Sequence, residues 1–597
     1  MTIRRATRRA TPITTTISEQ GKQMFDTTPE VTSLPSLASR EDYDYLNEES
    51  LKILAGGYIE EVPRAERKPA AIKRVNFLID QAESILGIKL PTMRKGVRRG
   101  WISPSSPVWS NFGTERGLPI SCNGSRIGDT VDSIAYKVAE ISMMTKEGAG
   151  TSAYMGDLRP AGTPISGGGD SHGPVHFARL IQEAVTVISQ GSTRRGNAAI
   201  YLPIDHPDIH EWLEMRSITP KHLIQHLSFA VTITDEWMNA MLSEAKGGAK
   251  RKLLVKIINK RKATGFPYIL FTDNANNARP DRLKELGLEI VASNLCTEIM
   301  LPSAEDESFV CNLSSLNLLH FHEWKDTPLV RELVYFLDAV MSEYIEKCKM
   351  PGRRLLADAL RFAERWRALG IGTLGYHSYL QQNMLPFDSD EARAFNIEAH
   401  RHIYEESRAA SRQMALEYGE PEGMKGTGYR HLTLQAIAPT RSSSLILGQV
   451  SKGIEPWDSS IYEDDNAKTS FVIRNAAFGK LLDLKGMNTE EVWLDVLKHG
   501  GSCQHLDWLT DREKAVFRTW LEIGNDEPIR QNNDRTPFVD QGISFNMKAA
   551  PEATTKNHVD WLVALWRGGS KSAYYLEGLN KAQKLIQAEA ACSSCEA

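Results

Sequence analysis

Residues 293–302 read SNLCTEIMLP, and residues 310–317, a few positions further on, read VCNLSSLN. If the first stretch is extended, its successive side chains point to opposite faces. Asn294, Cys296 and Glu298 then share one face, which brings together an amide, a thiol and a carboxylate. Asn and Glu are seldom buried without a purpose. We therefore predict a functional site here and not a packed strand.

Composition excludes several classes of protein. The chain has 597 residues, 41% of them hydrophobic, which is ample for a large core and more than one domain. A formal net charge of −4 offers no basic field for a nucleic-acid backbone. No apolar run approaches the roughly 20 residues that cross a bilayer, and seven cysteines are too few for a disulfide-stapled secreted scaffold. We expect a cytoplasmic protein that binds neither nucleic acid nor membrane.

Four segments are expected along the chain. Residues 1–40 are rich in Arg, Thr, Ser and Pro, which predicts a disordered arm and leaves a transit peptide as the alternative. Residues 41–105 carry a helical pattern typical of a small helical domain. Residues 106–580 alternate short apolar segments with helical stretches, which favours an α/β architecture with parallel strands. Residues 581–597 end in a dithiol among small residues and predict a mobile tail.

Hydrophobic periodicity predicts individual elements. The predicted helices are 174–189, 329–348, 388–418 and 489–498, and the predicted strands are 198–202, 267–271 and 444–447. Residues 148–153, GAGTSA, match the dinucleotide fingerprint G-x-G-x-x-A. The residues that follow, YMGDLRP, cannot form the helix which that fingerprint requires, so we reject a Rossmann interpretation.

Further cysteines could serve the same chemistry as Cys296. Taken alone, Cys122 and Cys311 are typical of buried, hydrophobic cysteines. Cys592 and Cys595 form a C-x-x-C pair near the C-terminus. Half of a zinc site would need a second ligand pair, and none stands out in the sequence, so a redox dithiol is the favoured interpretation.

Two other motifs are open to more than one interpretation. Tyr574 and Tyr575 are adjacent, so simple packing in a strand would bury one ring and expose the other, but stacked tyrosines can also pass an electron and a proton. Residues 435–444 read QAIAPTRSSS. Hydroxyls and free N–H groups at such a junction can bind a phosphate, and an ordinary capped turn explains them equally well.

Together these stretches resemble one family, the catalytic large (alpha) subunit of class I ribonucleotide reductase, over roughly residues 100–597. Residues 294–298, NLCTE, are similar to the family's thiyl-radical loop. Residues 311–317 and 121–122 resemble the stretches that carry its two redox cysteines, and the tyrosine pair and terminal dithiol follow in the expected order. The resemblance implies a ten-stranded α/β barrel of two parallel five-stranded halves, with the radical loop inside it.

The resemblance also implies an activity, the reduction of ribonucleoside diphosphates to 2′-deoxyribonucleoside diphosphates for DNA synthesis. Cys296, as a thiyl radical, would abstract the 3′-hydrogen of the substrate. Glu298 would act as the base at the 3′-hydroxyl, and Asn294 would hydrogen-bond the substrate. Cys122 and Cys311 would supply two electrons by forming a disulfide.

Partners follow from the same resemblance. Cys592 and Cys595 would re-reduce the disulfide and would themselves be reduced by thioredoxin or glutaredoxin. Tyr574 and Tyr575 would carry a radical equivalent from a metal-containing small (beta) subunit, so this chain is expected to bind no metal or cofactor itself. A homodimer is also expected.

Substrate and effector sites are implied as well. The substrate-binding residues would be Ser106, Ser121, Pro439, Thr440, Arg441, Ser442 and Ser443. An allosteric specificity site for dNTP or ATP would use Asp129, Arg159, Gln190 and Arg194. Ser166 stands where many relatives place a second phosphate-binding arginine. There is no room for a full ATP-cone before the helical segment, so on/off control by dATP is expected to be absent.

Two alternatives remain. A class II, adenosylcobalamin-dependent reductase shares the barrel and the radical cysteine, but its cofactor makes the radical locally and needs no relay such as Tyr574–Tyr575. A catalytically inactive nucleotide-binding paralogue is the other. The intact set of reactive residues argues against it: Cys122, Asn294, Cys296, Glu298 and Cys311.

Overall fold

The computed structural model describes residues 30–37, 41–120, 122–188, 196–217, 224–466 and 469–578. The predicted site residues Ser121, Gln190, Arg194, Cys592 and Cys595 lie outside the described residues.

Thirteen strands occur in the described residues. They are β1 Ile102–Pro104, β2 Cys122–Arg126, β3 Thr151–Tyr154, β4 Ala198–Pro203, β5 Leu227–Ile233, β6 Tyr268–Phe271, β7 Phe309–Asn317, β8 Leu369–Leu374, β9 Ile461–Asn466, β10 Thr469–Arg474, β11 Met547–Ala549, β12 Ser572–Ala573 and β13 Leu576–Gly578.

Helices cover the outside of the sheet and fill the segments between strands. The α-helices are Glu48–Ala55, Arg67–Leu86, Pro91–Arg98, Ser106–Asn111, Val131–Lys146, Gly173–Val187, Ile209–Trp212, Asp235–Ser243, Ala249–Thr264, Thr272–Asn277, Asp281–Glu285, Phe321–Trp324, Leu329–Lys349, Ala357–Trp366, Tyr376–Gln382, Asp390–Tyr418, Arg441–Ile446, Ala476–Leu484, Glu490–Lys498, Asp511–Val516, Trp520–Ile523, Asp526–Arg535 and Thr555–Arg567. None of these helices, within the described part of the chain, has both the length and the hydropathy to span a membrane.

The first half of the barrel is a parallel sheet built in chain order. Strands β2, β3, β4, β5 and β6 pair side by side, each parallel to the next. β5 is buried along its whole length and β4 along all but its last residue, as expected for strands covered on both faces. The predicted strands at 198–202 and 267–271 are confirmed as β4 and β6.

The second half of the barrel is made of strands and single parallel bridges. β7 and β8 are parallel, and single parallel bridges then join Ile371 to Gln435 and Ile437 to Ile543. Shortly after Ile543 the chain forms β11, which is parallel to β13. β7 is antiparallel to β2, and β12 is antiparallel to β6, so the two halves meet at both edges. This curled sheet confirms the predicted α/β barrel of two parallel halves.

The helical segment before the barrel does not have a core of its own. Helices Arg67–Leu86 and Pro91–Arg98 pack on Leu329–Lys349, and their buried side chains belong to the same hydrophobic cluster as those of β7 and β8. β1, which falls inside the predicted helical domain of 41–105, pairs with β7. The segment is helical as predicted but packs as part of the barrel.

Two predictions of local structure are wrong. Residues 30–37, predicted as disordered within 1–40, are packed: Leu34 joins a cluster with Phe478, and the Gln382 amide donates to the carbonyls of Leu34 and Pro35, both at 3.1 Å. Residues 444–447, predicted as a strand, belong to a helical turn that begins at Arg441. A short, fully buried apolar run does not distinguish the two structures by periodicity.

The strand pairing between the barrel halves predicts a steric effect at Gly124. This residue lies opposite Phe309 across β2 and β7, and a Cβ at Gly124 would lie 2.1 Å from the Phe309 ring and 2.6 Å from Ser152 Oγ. We expect Gly124→Ala to lower the free energy of unfolding by about 1–3 kcal/mol through overpacking, measured by urea denaturation. Gly167→Ala, where nothing lies within 4 Å of the added Cβ, is the matched control. Equal stability of the two variants would contradict this packing.

Candidate active site

The stretch 294–298 is a tight turn and not the extended segment that alternation predicts. Thr297 has φ +67°, and its N–H donates to Asn294 O at 3.3 Å. Asn294 Oδ1 accepts from the N–H groups of Glu298 and Ile299, both at 3.1 Å. Asn294 Nδ2 donates to Glu298 Oε1 at 2.9 Å. The amide and the carboxylate therefore meet because Asn caps a turn with its short side chain, and the extended interpretation is wrong.

Both halves of the barrel hold this turn. Tyr201 in β4 donates its hydroxyl to Asn294 O at 2.5 Å. Gly542 N–H donates to Glu298 O at 2.7 Å, and Ser572 Oγ donates to Thr297 O at 3.0 Å. A left-handed conformation of a β-branched residue costs roughly 1–3 kcal/mol and persists only when its surroundings impose it. These contacts supply that constraint at Thr297.

Glu298 is a fully buried carboxyl with a raised pKa. Burial raises its pKa to about 7, although hydrogen bonds from Asn294 and Ser544 oppose the shift. Ser544 Oγ lies 3.0 Å from Glu298 Oε2 and 2.5 Å from Cys296 O. A carboxyl with a pKa near the operating pH can accept and return a proton.

Cys122 and Cys311 lie directly opposite each other on the antiparallel strands β2 and β7. Opposed residues in such a ladder have Cα atoms about 4.5–5.5 Å apart, which is within the range of disulfides, about 4.4–6.8 Å. Cys122 is partly buried and Cys311 is buried, and both are in the reduced, thiol form. Cys122 Sγ lies 4.0 Å from Glu298 Oε1, so the pair adjoins the turn.

The tyrosine pair lies in a buried aromatic cluster near Cys296. The ring centroids of Tyr574 and Tyr575 are 4.3 Å apart, and both side chains are buried, unlike the simple alternation of a strand. Tyr268 in β6 completes the cluster, 4.7 Å from Tyr574 and 5.0 Å from Tyr575. Burial raises the pKa of Tyr575, and the nearby Cys296 sulfur raises it further.

Of the predicted phosphate-binding residues, Ser443 contacts β1, the strand that pairs with β7. Helix Arg441–Ile446 begins directly after Thr440, whose Oγ1 accepts from Gly453 N–H at 2.7 Å. Ser443 Oγ is bonded to Ser103 Oγ at 2.9 Å, and Ser103 pairs with Ser315 of β7. Ser106 accepts a hydrogen bond from the Tyr58 hydroxyl at 3.1 Å. The other members of this set are Pro439, Arg441 and Ser442.

The two predicted effector residues within the described chain contact each other. Arg159 Nε lies 2.6 Å from Asp129 Oδ2, and Arg159 N–H donates to Asp129 Oδ1 at 3.1 Å. The ion pair is partly exposed, with about a third of each side chain accessible. A carboxylate and a guanidinium are thus held together at one point of the surface.

Sequence reasoning missed four side chains that touch this site: Tyr201, Tyr268, Gln541 and Ser544. Tyr201 and Tyr268 lie in predicted strands, where a tyrosine is unremarkable. Gln541, Ser544 and Asn546 are polar residues that interrupt the apolar residues of 541–547, QGISFNM. That pattern of polar groups in a buried-looking segment is the same signal that marks residues 294–298.

Comparison with known proteins gives a consistent result. The family model described as ribonucleotide reductase, barrel domain, matches residues 120–248, 243–429 and 421–576. A putative ribonucleoside-diphosphate reductase large subunit of Frog virus 3 is 34% identical over 495 residues, covering 80% of this chain and 86% of the relative. The ribonucleoside-diphosphate reductase large subunit of Invertebrate iridescent virus 3 is 30% identical over 548 residues, covering 80% and 85%. Among solved structures, the Actinobacillus ureae class Id ribonucleotide reductase alpha subunit is 43% identical with a TM-score of 0.84, covering 92% of this chain and 100% of that chain.

The raised pKa of Glu298 predicts a pH-dependent effect on stability. Because its folded pKa of about 7 exceeds the ordinary value of 4.5, ionisation favours unfolding, and stability is lost as pH rises through 7. Glu298→Gln cannot ionise. Its free energy of unfolding relative to wild type should therefore increase between pH 4.5 and about pH 7 and level off above that, by on the order of 3 kcal/mol in total.

Urea denaturation across this pH range measures the difference. Glu552→Gln, at an exposed position, controls for the loss of one charge. A difference between Glu298→Gln and wild type that does not change with pH would show that the carboxyl is not desolvated as described.

Proposed function

The chain belongs to the ribonucleotide reductase family, as a class I large subunit, and we propose that Cys296 initiates a thiyl-radical reduction of ribonucleoside diphosphates. The protein is an oxidoreductase of deoxyribonucleotide synthesis. The observation that carries the mechanism is the pairing of Cys122 with Cys311 next to Glu298. A two-electron thiol source thereby adjoins the turn that holds Cys296.

Hydrogen abstraction is the first step. The Cys296 thiyl radical takes the hydrogen atom from C3′ of the ribose and becomes a thiol. Glu298 accepts the proton of the 3′-hydroxyl, since a pKa near 7 lets it exchange a proton at neutral pH. Asn294, whose amide already contacts Glu298, hydrogen-bonds the substrate.

The cysteine pair supplies the electrons. As the C2′–O bond breaks and the 2′-hydroxyl leaves as water, Cys122 and Cys311 together give up two electrons and two protons and form a disulfide. Cys296 then returns a hydrogen atom to C3′ and becomes a thiyl radical again, and Glu298 returns its proton to the 3′-oxygen. One ribonucleotide and two thiols thus give one deoxyribonucleotide, one disulfide and one water.

A small subunit is the partner that the large-subunit identity implies, and we propose that its metal centre generates the radical. Tyr574 and Tyr575 would pass a hydrogen atom to one another, and Tyr575 would then take the hydrogen of the Cys296 thiol. The 4.3 Å spacing of the two rings supports direct transfer between them.

Binding roles are proposed for two groups of residues. The hydroxyl-rich cluster from Pro439 to Ser443, with Ser106 and Ser121, would hold the substrate phosphates. A dNTP or ATP effector would bind at Asp129 and Arg159 and act through Gln190 and Arg194. The Asp129–Arg159 ion pair would place a sugar-binding carboxylate beside a phosphate-binding guanidinium.

The return of the disulfide to the dithiol state requires an external reductant. We assign this role to Cys592 and Cys595, themselves reduced by thioredoxin or glutaredoxin. Cys122 is the more exposed cysteine of the pair, so it is the one that an attacking thiolate would reach.

A homodimer is also proposed. Helices Val131–Lys146 and Gly173–Val187 pack on each other, and large apolar side chains remain exposed on them, among them Val131, Leu180 and Val187, with 78%, 49% and 76% of their surface accessible. Exposed apolar groups that recur on adjacent helices are typical of subunit interfaces. A second copy of the chain is the partner we assign to this face.

Replacing the radical cysteine tests the proposal directly. Cys296→Ser should abolish turnover, because an alcohol O–H is much harder to cleave homolytically than a thiol S–H, while nucleotide binding stays intact. Turnover is measured as deoxynucleoside diphosphate formed with a cognate small subunit and dithiothreitol. Cys503→Ser, at a buried cysteine in a separate cluster, is the control. Retained turnover in Cys296→Ser would disprove the assignment.

The tyrosine relay distinguishes this mechanism from the adenosylcobalamin-dependent one. Tyr575→Phe removes the phenolic hydrogen and should block activity driven by the small subunit, whereas Tyr344→Phe, another buried tyrosine, should remain active. The same assay is run with adenosylcobalamin in place of the small subunit. Undiminished activity of Tyr575→Phe, or turnover with adenosylcobalamin alone, would favour the class II mechanism.

A further inference from the structure

The side chain of Gln541 contacts Cys311 and also the backbone just after the turn at residues 294–298. Gln541 is fully buried, and its Oε1 accepts from Met300 N–H at 3.1 Å. Its Nε2 donates to Leu369 O at 2.9 Å and to Cys311 Sγ at 3.2 Å. The backbone N–H and carbonyl partners fix the orientation of the amide, because only the oxygen can accept and only the nitrogen can donate. The group facing Cys311 is therefore an N–H donor.

The two cysteines of the pair differ in how a reductant reaches them. Cys122 is partly exposed, whereas Cys311 is 1% exposed. An external thiolate therefore attacks the Cys122 sulfur and forms a mixed disulfide with it. The Cys122–Cys311 bond breaks, and Cys311 leaves as a thiolate that later takes up a proton. A second thiol of the reductant then releases Cys122.

Cys311 is poorly placed to leave as an anion. Burial and the nearby Glu298 carboxyl raise its pKa, and the hydrogen bond from Gln541 opposes that rise. Thiol–disulfide exchange is faster when the leaving thiol has a lower pKa. A donor aimed at the sulfur stabilises the departing charge where the surroundings do not.

We propose that the Gln541 Nε2–H stabilises the leaving Cys311 thiolate and so sets the rate at which the active-site disulfide is re-reduced. This inference rests on the proposed role of the Cys122–Cys311 pair. The same amide accepts from Met300 N–H, just after the turn at residues 294–298, and this bond fixes the position of the donor beside Cys311. Gln541 thus contacts both the cysteine that is re-reduced and the segment that follows Cys296.

The test measures re-reduction apart from turnover. In a Cys592→Ser/Cys595→Ser background, the Cys122–Cys311 disulfide is formed with diamide, dithiothreitol is added, and free thiols are trapped by alkylation over time and located by mass spectrometry. Gln541→Met has a similar volume and no donor. It should slow the reaction about three- to tenfold, as expected for the loss of a hydrogen bond to a charged leaving group.

Gln435→Met is the matched control. Gln435 is buried on the neighbouring segment, where Gln541 N–H donates to its carbonyl, but its own amide donates to Ser407 Oγ and not to a cysteine. It should re-reduce at the wild-type rate. Gln541→Glu is the second variant: it keeps an oxygen for Met300 N–H, replaces the donor by oxygen, and should be slowed at least as much as Gln541→Met.

A single turnover of pre-reduced protein separates the two possible effects of the change. Equal product per site in wild type and Gln541→Met, with slowed re-reduction, supports the proposal. Wild-type re-reduction rates in both Gln541 variants would overturn it, as would a loss of single-turnover product without slower re-reduction, which would assign the amide to the radical turn alone. Failure of the wild-type cysteines to form a disulfide with diamide would instead refute the proposed electron source.

Discussion

The antiparallel pairing of β2 with β7 is the constraint on which the site depends. These strands belong to different halves of the barrel, so their pairing joins two parallel sheets and sets Cys122 opposite Cys311. A shift of one residue in this register would send one of the thiols to the other face of the sheet. Phe309 lies over Gly124 two residue pairs along the same ladder, and the absence of a side chain at Gly124 leaves room for the Phe309 ring in this alignment.

Burial determines which chemistry the assembled groups can perform. It raises the pKa of Glu298, of Cys311 and of Tyr575, and in each case it disfavours the charged form. A site in which burial disfavours charged side chains is poorly suited to a thiolate nucleophile. Transfer of a hydrogen atom moves no net charge, so a buried thiol and buried phenols suit it. In the proposed reduction of a Cys122–Cys311 disulfide a thiolate would form, and the Gln541 amide places an N–H donor against the Cys311 sulfur.

Long sequence patterns indicate the elements of this fold more closely than short ones do. Helices 329–348 and 388–418 have long amphipathic or apolar patterns, and their predicted bounds lie within two residues of Leu329–Lys349 and Asp390–Tyr418. The strand predicted at 444–447 was wrong because four buried apolar residues satisfy a helical turn as readily as a strand. The packing of residues 30–37 depends on Gln382, almost 350 positions away, and no local pattern indicates it.

By itself the sequence predicted the candidate reactive residues and their order along the chain: Cys122 and Cys311, the Asn–Cys–Glu stretch and the tyrosine pair. Residue types and spacing carry that information locally. Only the tertiary structure decided how these groups meet. The amide and carboxylate converge through a turn strained at Thr297. Gln541 contacts Cys311, and Tyr268 contacts Tyr575, each across hundreds of residues of chain. Such contacts arise when the barrel closes, because closure brings strand ends together whatever their distance along the chain.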